Sequence, residues 1–281
     1  MMKVIENKNF PKERDLYGVE NVLIKNCSFD GEEDGESALK EARDVKLESC
    51  YMNLRYPLWH DNGVMLDNVT MTDKCRAALW YTEGVEIKNS HLLGIKALRE
   101  CKDVKISNSR IVSPEFGWKS SDIKVEESGI SSEYVFLMAT DIYMDNVDFK
   151  GKYSFQYVKN ALIENSALDT KDAFWHSCNV TVKNSVVKGE YLAWYSENLT
   201  LINCKIIGTQ PLCYCKNLKL IDCEMENTDF SFEYSDVDAT VRGDIVSVKN
   251  PRSGKIVADS IGEIIYTDDS KYDCEAEIAI R

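Results

Sequence analysis

The chain has 281 residues, 44% of them hydrophobic and 29% charged, and a formal net charge of -13. That balance excludes a disordered chain, and no run of about 18 apolar residues exists to form a transmembrane helix. The acidic excess argues against nucleic acid, because phosphate binding needs clustered Lys and Arg.

Residues 1–18 open with MMKVIENKNFPKERD, which has neither an apolar h-region nor a small-residue cleavage site. No signal peptide is expected, and the predicted compartment is the cytoplasm. There the ten cysteines, none in C-x-x-C spacing, stay reduced. The segment is expected to act as an N-terminal cap.

From residue 19 the chain repeats itself. Residues 171–185, KDAFWHSCNVTVKNS, and 190–204, EYLAWYSENLTLINC, agree at Trp, Ser, Asn, Thr and Asn when offset by 19. Taking the last Asn as an anchor, the repeat runs through Asn26, Ser49, Asn68, Asn89, Asn108, Glu127, Asn146, Asn165, Asn184, Asn203, Asp222 and Gly243. Eight of the eleven spacings are 19 residues, the others 23, 21 and 21. Small insertions at a fixed place are what a solenoid tolerates in a loop.

Apolar residues stand four and two before the anchor (Val22 and Ile24 through Ala239 and Val241) and three after it (Phe29 through Val246). This alternation is strand-like with one buried face. The anchor interrupts it, and Asn is the non-glycine residue best suited to the left-handed region of a sharp bend. A second bend falls five before the anchor, where all twelve residues are Asn, Asp or Gly; a third falls five after it, at Gly31, Gly94, Gly151, Gly189 and Gly208. Nineteen residues leave no room for a helix. The prediction is an all-β, single-stranded right-handed parallel β-helix of about twelve coils of ~19 residues, with three parallel sheets and coils about 4.8 Å apart. A leucine-rich repeat would place Asn one residue further on, and a pentapeptide repeat would show period five.

Cys27, Cys50, Ser90, Ser109, Ser128, Ser166, Ser185, Cys204 and Cys223 follow the anchor directly and form a ladder of small inward residues. Pairs such as Cys204 and Cys223 read as reduced core thiols rather than a disulfide. Ten after the anchor, allowing for the insertions, one column holds all five tryptophans, Trp59, Trp80, Trp118, Trp175 and Trp194, together with Lys40, Arg99 and Gln156. It is flanked by an apolar column (Leu39, Leu58, Leu79, Phe155, Phe174) and a mixed one (Glu41, His60, Tyr81, Lys119, His176, Tyr195, Tyr214). Charges in the Trp column argue for Trp outside and Leu/Phe inside. Strict alternation argues the reverse. Both readings stand at this level.

Residues 244–281, including IVSVKNPRSGKIVADSIGEIIYT, should continue as irregular strands that close the last coil. The whole of 1–281 reads as one domain: cap 1–18, coils 19–243, C-terminal strands 244–281.

An outward aromatic ribbon interleaved with charge suits a sugar, whose CH face stacks while its hydroxyls need polar partners. The ribbon is densest at Trp175 and Trp194, predicted to form a continuous platform bordered by His176, Tyr195 and Tyr214. Arg99, Trp118 and Lys119 offer a second set of contacts. Asp172 and Glu190, in adjacent coils, are the candidate catalytic pair, since stacked neighbours can bring carboxyls within the ~5 to 9 Å of glycoside hydrolysis. No metal or cofactor is expected: His60 and His176 are six coils apart, roughly 29 Å, and no Ser-His-Asp or Gly-x-Ser-x-Gly pattern is present. The expected partner is an oligosaccharide or polysaccharide fragment, with neither nucleic acid nor membrane, in a possible homo-oligomer. The alternative is a non-catalytic scaffold whose aromatic face meets another protein.

The phrases YPLWHD, AALWYT, DAFWHSCNVTVKNS, GEYLAWYSENLTLINC, FEYSDVDA and VKNPRSGKI carry a resemblance over nearly the whole chain. It resembles a bacterial family of unknown function placed among the pectin-lyase-like β-helix proteins. The resemblance implies the β-helix fold and no assigned activity. The wider superfamily includes pectate lyases, polygalacturonases and other polysaccharide-active enzymes. The combined polygalacturonase pattern of N-T-D, G-H-G and R-I-K is absent here, an N-T-D at 227–229 standing without the other two, and no compact Asp set resembles the calcium site of pectate lyases, so no catalytic residue is carried over.

Overall fold

The structure, a computed structural model, describes residues 2–32 and 35–281, and none of them is helical. The chain divides into two compact units, Met1–Asp141 and Ile142–Arg281. Each winds as a right-handed parallel β-helix, and the chain makes about 15 turns where the repeat alone predicts about twelve. The surplus comes from both ends. Lys3–Glu6 pairs in parallel with 22–25, while Ser253–Ile265 and Glu277–Ile280 add further turns after the last anchor. A terminal coil has backbone donors and acceptors to satisfy, so the flanking segments join the winding.

In the first unit, Glu20–Lys25, Arg43–Glu48, Asn62–Asp67, Glu83–Lys88 and Lys102–Ser107 stack side by side in register. Val22, Val45, Val64, Val85 and Val104 face one another down the stack, at most 1% exposed. Phe29, Met52, Met71, Leu92 and Ile111 do the same on the second side. Each such side chain contributes about 1.5–3 kcal/mol by leaving water. A third side is regular only at Leu58–Trp59, Leu79–Trp80 and Leu98–Arg99, a short three-stranded sheet.

In the second unit, Lys159–Glu164, Cys178–Lys183 and Glu197–Ile202 continue the same pattern, with Ala161, Val180 and Leu199 in register. Here the third side is a run of turns. Phe174 and His176, then Ala193 and Tyr195, then Leu212 and Tyr214, all have positive φ.

The bends behave as their residues dictate. Every anchor has positive φ, from 47° at Asn108 to 79° at Gly243, and so does every residue of the second bend column except Asp238. The Asn side chains also link coils: Asn217 donates to Asn198 (2.7 Å), Asn198 to Asn179 (2.9 Å) and Asn179 to Asn160 (3.2 Å). Behind the anchor, the small ladder closes the bend. Ser109 Oγ accepts from the Ser90 amide at 3.1 Å and donates to the Ser107 carbonyl at 2.7 Å. Serine supplies both bonds in a space too small for a longer side chain. Gly189, at φ 153°, is required at the third bend, because a Cβ there would overlap the Thr170 carbonyl. All ten cysteines are unbridged.

Candidate functional site

The structure decides which column faces in. Leu39, Leu58, Leu79, Leu98, Phe155 and Phe174 are at most 1% exposed. All five tryptophans are half-buried, while Tyr81, Tyr157 and Tyr195 are 44–47% exposed. Two successive residues turn outward because the second has positive φ: His60, Tyr81, Lys119, His176, Tyr195 and Tyr214 all lie between 53° and 61°. That left-handed residue breaks the period of two on which the Trp-inside reading depended.

The tryptophans are also fastened to the backbone. Indole Nε1 of Trp59 donates to the Ala77 carbonyl (2.6 Å), Trp118 to Tyr134 (2.7 Å), Trp175 to Tyr191 (2.7 Å) and Trp194 to Gln210 (2.9 Å). Gln156 uses its side-chain amide in the same way on the Asp172 carbonyl, at 3.0 Å. The acceptors are all left-handed residues of the next bend. Trp80 departs from this pattern: its buried Nε1 has no partner among the described residues. The Arg99 guanidinium lies 4.8 Å from the Trp80 ring centroid and 5.2 Å from that of Trp118. Within the first unit, therefore, Arg99 and Trp118 are brought together, with exposed Lys119 adjacent in the chain.

In the second unit Trp175 and Trp194 stack at 5.4 Å between centroids, with 3° between planes. Outside them runs a four-ring ladder. Tyr157 stacks on His176 at 4.9 Å, His176 on Tyr195 at 5.1 Å and Tyr195 on Tyr214 at 4.7 Å, all within 12° of parallel. The rings form a continuous stack, but its faces are not free. Coil spacing brings like rings face to face, so both faces of His176 and of Tyr195 are covered by neighbours. Solvent meets ring edges, which carry phenol hydroxyls and imidazole nitrogens. Tyr214 hydroxyl donates to Glu233 at 3.4 Å, and burial, reinforced by the Glu233 charge, pushes its phenol up to about 12.

Asp172 and Glu190 are also brought together. The Asp172 amide donates to the Glu190 carbonyl at 3.0 Å, and their environments differ. Asp172 is 7% exposed; desolvation raises its pKa, with the Lys171 charge opposing and the Glu190 charge assisting. Glu190 is exposed and pairs with Lys171 at 2.8 Å. Sequence reasoning gave no site role to Tyr157, Gln156 or Lys171. Tyr157 was legible, because it occupies the column of His176 and Tyr195. Lys171 had no signal beyond being one cation among 34.

A separate groove of ≈ 390 Å³ in the second unit is lined by Lys205, Glu224, Glu226, Arg242 and Asp244, among others. Its cations are already engaged, Lys205 with Glu226 at 2.6 Å and Arg242 with Glu224 at 3.3 Å. Among the described residues no group of three or more His, Cys, Asp or Glu side chains is placed to hold a metal ion.

Winding and bends together define a parallel β-helix protein with an aromatic ladder along one side. The chain belongs to the family described as protein of unknown function (DUF3737), which it matches over residues 3–279. No curated protein matches it. Among solved structures it is similar to PfbA, a surface adhesin of Streptococcus pneumoniae (10% identity, 85% of this chain and 83% of that one, TM-score 0.49). It is also similar to a mannuronic acid specific polysaccharide family 6 lyase from human gut microbiota (6% identity, 99% and 87%, TM-score 0.45). A third likeness is to the A-module of the Azotobacter vinelandii mannuronan C-5 epimerase AlgE6 (9% identity, 99% and 88%, TM-score 0.34).

Proposed function

We propose that the chain binds a carbohydrate along the row Tyr157, His176, Tyr195 and Tyr214, and that Asp172 and Glu190 are placed to act on it. The observation that carries this reading is the row's periodicity. Ring edges recur every 4.7–5.1 Å and bear hydroxyls and imidazole nitrogens. A periodic row of hydrogen-bonding edges suits a periodic, hydroxyl-rich ligand lying along the coil axis. Trp175 and Trp194 back the row, while Arg99, Trp118 and Lys119 give the first unit a contact set of its own. The two carboxyls supply the division that glycosidic cleavage uses. Buried Asp172, its pKa raised by desolvation, suits the acid, and Glu190, exposed and paired with Lys171, suits the base or nucleophile. No cofactor is needed. The ligand is met in the cytoplasm, where ten unbridged thiols persist.

A second reading, the scaffold, has its own support. The ring faces are spent on one another and the indole N–H groups on backbone carbonyls, as a purely structural ladder requires.

One experiment separates the two. Titration with an oligosaccharide panel, followed by Trp fluorescence and calorimetry, should give saturable binding for at least one member. The double variant His176→Phe, Tyr195→Phe keeps the stack and removes its polar edge, so it should lose that binding with an unchanged melting temperature. Asp172→Asn should retain binding and abolish any cleavage seen by product chromatography. A silent panel, or binding that survives the double variant, overturns the carbohydrate reading in favour of the scaffold.

A further inference from the structure

The small ladder behind the anchor changes from oxygen to sulfur in the second unit. Its serines carry hydroxyls, and the Ser166 amide donates to Ser185 Oγ at 3.0 Å. The next two rungs are Cys204 and Cys223, 2% and 0% exposed and unbridged. They lie on neighbouring coils, because the Glu224 amide donates to the Cys204 carbonyl at 2.8 Å and Lys205 stands opposite Glu224. Parallel strands lie about 4.8 Å apart, and a disulfide spans roughly 4.4–6.8 Å between α-carbons. The backbone thus holds the pair at disulfide distance.

The two sulfurs are not equivalent. The Cys223 thiol and the Ser185 amide are directed at the Cys204 sulfur, and these bonds hold its pKa below the ordinary thiol value despite burial. Cys223, the donor of that thiol bond, is pushed up, and burial adds to the effect. One sulfur ready to attack beside one that keeps its proton is the arrangement of a nucleophile and its resolving thiol. Cys204 also forms part of the wall of a groove of ≈ 260 Å³, beside Lys205 and Arg242, which gives a small oxidant an approach. Cys223 sits where the pairing of Leu218–Glu226 with Asp236–Lys249 slips in register, so its coil has room to adjust. Cys27 and Cys50 occupy the same column in the first unit and are also neighbours, the Tyr51 amide donating to the Cys27 carbonyl at 3.0 Å. There burial pushes the Cys50 thiol up to about 11, which leaves its thiolate scarce.

We propose that Cys204 and Cys223 are an oxidisable dithiol, reduced at rest and joined into a disulfide when a hydroperoxide enters the groove. The Cys204 thiolate attacks the peroxide: an S–O bond forms, the O–O bond breaks, and the leaving oxygen takes a proton to depart as water or an alcohol. The Cys204 sulfenic acid so formed is then attacked by the Cys223 sulfur. The S–S bond forms, the S–O bond breaks, and the hydroxyl leaves as water with the Cys223 proton. Two thiols and one hydroperoxide give one disulfide, one water and one water or alcohol, the sulfurs losing the two electrons that the peroxide gains. The bond clips two successive coils across 19 residues of chain, which restricts the unfolded state and stabilises the winding. Exchange with a small thiol reverses it, as a compartment that keeps thiols reduced requires.

The test treats the folded full chain with a few equivalents of hydrogen peroxide, then alkylates free thiols and maps tryptic peptides without reductant. Peptides 189–205 and 220–242 each hold a single cysteine, Cys204 and Cys223, and should appear joined, lighter than their sum by two hydrogens. Dithiothreitol should release both, and the oxidised chain should melt at a higher temperature than the reduced one. Cys204 should leave the alkylatable pool roughly tenfold faster than Cys50, as its larger thiolate fraction requires. Cys223→Ser restores a serine rung and removes the resolving thiol, so Cys204 should then persist as a sulfenic acid that dimedone traps. Two merely structural thiols would give neither the link nor the adduct. Circular dichroism checks folding, and Cys223→Ala replaces the serine variant if that one does not fold. Thiols that stay alkylatable, a link that forms only in denaturant, a Cys27–Cys50 link in equal yield, or a folded variant without the adduct would each overturn the proposal. The dithiol lies behind the anchor and the aromatic row on the third side, so the outcome is independent of the carbohydrate reading.

Discussion

Asp61 is an acid in a column of small neutral residues. It is 2% exposed; one carboxyl oxygen accepts from the Ala42 amide at 3.0 Å, and the other has no partner among the described residues. The same column holds Thr82, whose hydroxyl donates to the Leu58 carbonyl at 2.9 Å, and Cys101, whose thiol reaches the Leu79 carbonyl at 3.4 Å. Burial pushes the Asp61 carboxyl up to about 8, against the opposing Ala42 hydrogen bond and with some help from the Glu41 charge. A raised carboxyl pKa means that the native state holds a proton the unfolded chain releases near pH 3.9. The stability this confers is present in acid and is lost as pH rises from about 4 to about 8, amounting to roughly 4 kcal/mol between pH 4 and 7. Asp61→Thr should therefore raise stability at pH 8, leave it nearly unchanged at pH 4, and flatten the profile between. Urea unfolding at both pH values checks this, and a variant less stable than wild type at pH 8 would contradict it.

At the scale of elements, the chain invests in ladders. Each rung repeats the one before: an Asn amide donates to the Asn of the preceding coil, a Ser hydroxyl accepts from the preceding coil's amide, and a Trp N–H donates to the next bend. Stacking makes a small local preference recur along the winding, so removing one rung disturbs two neighbours. Trp175→Ala would remove a half-buried ring, its stack on Trp194 at 5.4 Å and its 2.7 Å bond to the Tyr191 carbonyl. A loss of roughly 2 to 4 kcal/mol is expected, below the cost of a fully buried Trp because one side of the ring meets water. Trp175→Phe keeps the stack and should recover about half of it. Chemical denaturation measures both, and an alanine variant within 0.5 kcal/mol of wild type, roughly the range of an ordinary surface change, would show that the ladder is idle.

At the scale of the whole molecule, winding makes the ends the vulnerable places. In the first unit the N-terminal residues cover the next coil: Phe10 stacks on Phe29 at 5.1 Å, and the Leu16 amide donates to the Ala38 carbonyl at 2.9 Å. Deleting 1–18 would bare Val22, Ile24, Phe29 and Leu39, now at most 1% exposed, along with the edge of Glu20–Lys25. The truncated chain should aggregate on expression, as sedimentation of the lysate would show. A soluble, folded product would mean that the segment is dispensable.

The winding was legible because a solenoid writes its tertiary contacts into a period. A residue's neighbour in space is its counterpart 19 positions on, so Val85 and Val104 or Asn179 and Asn198 reveal their contact as a column. Bend chemistry was equally plain, since few residues besides Asn, Asp and Gly accept positive φ without strain. Sequence alone therefore determined the fold, the register and the buried columns of the first two sides. It could not decide the third side, where alternation and charge pointed opposite ways. There the backbone settles the matter: positive φ at His176 and Tyr195 turns two successive residues outward, a choice fixed by packing rather than by residue type. Only the tertiary structure decided that the rings spend their faces on one another and that Asp172 is buried while Glu190 is not. Each depends on what surrounds a side chain in three dimensions, and desolvation and stacking leave no mark in the one-dimensional pattern.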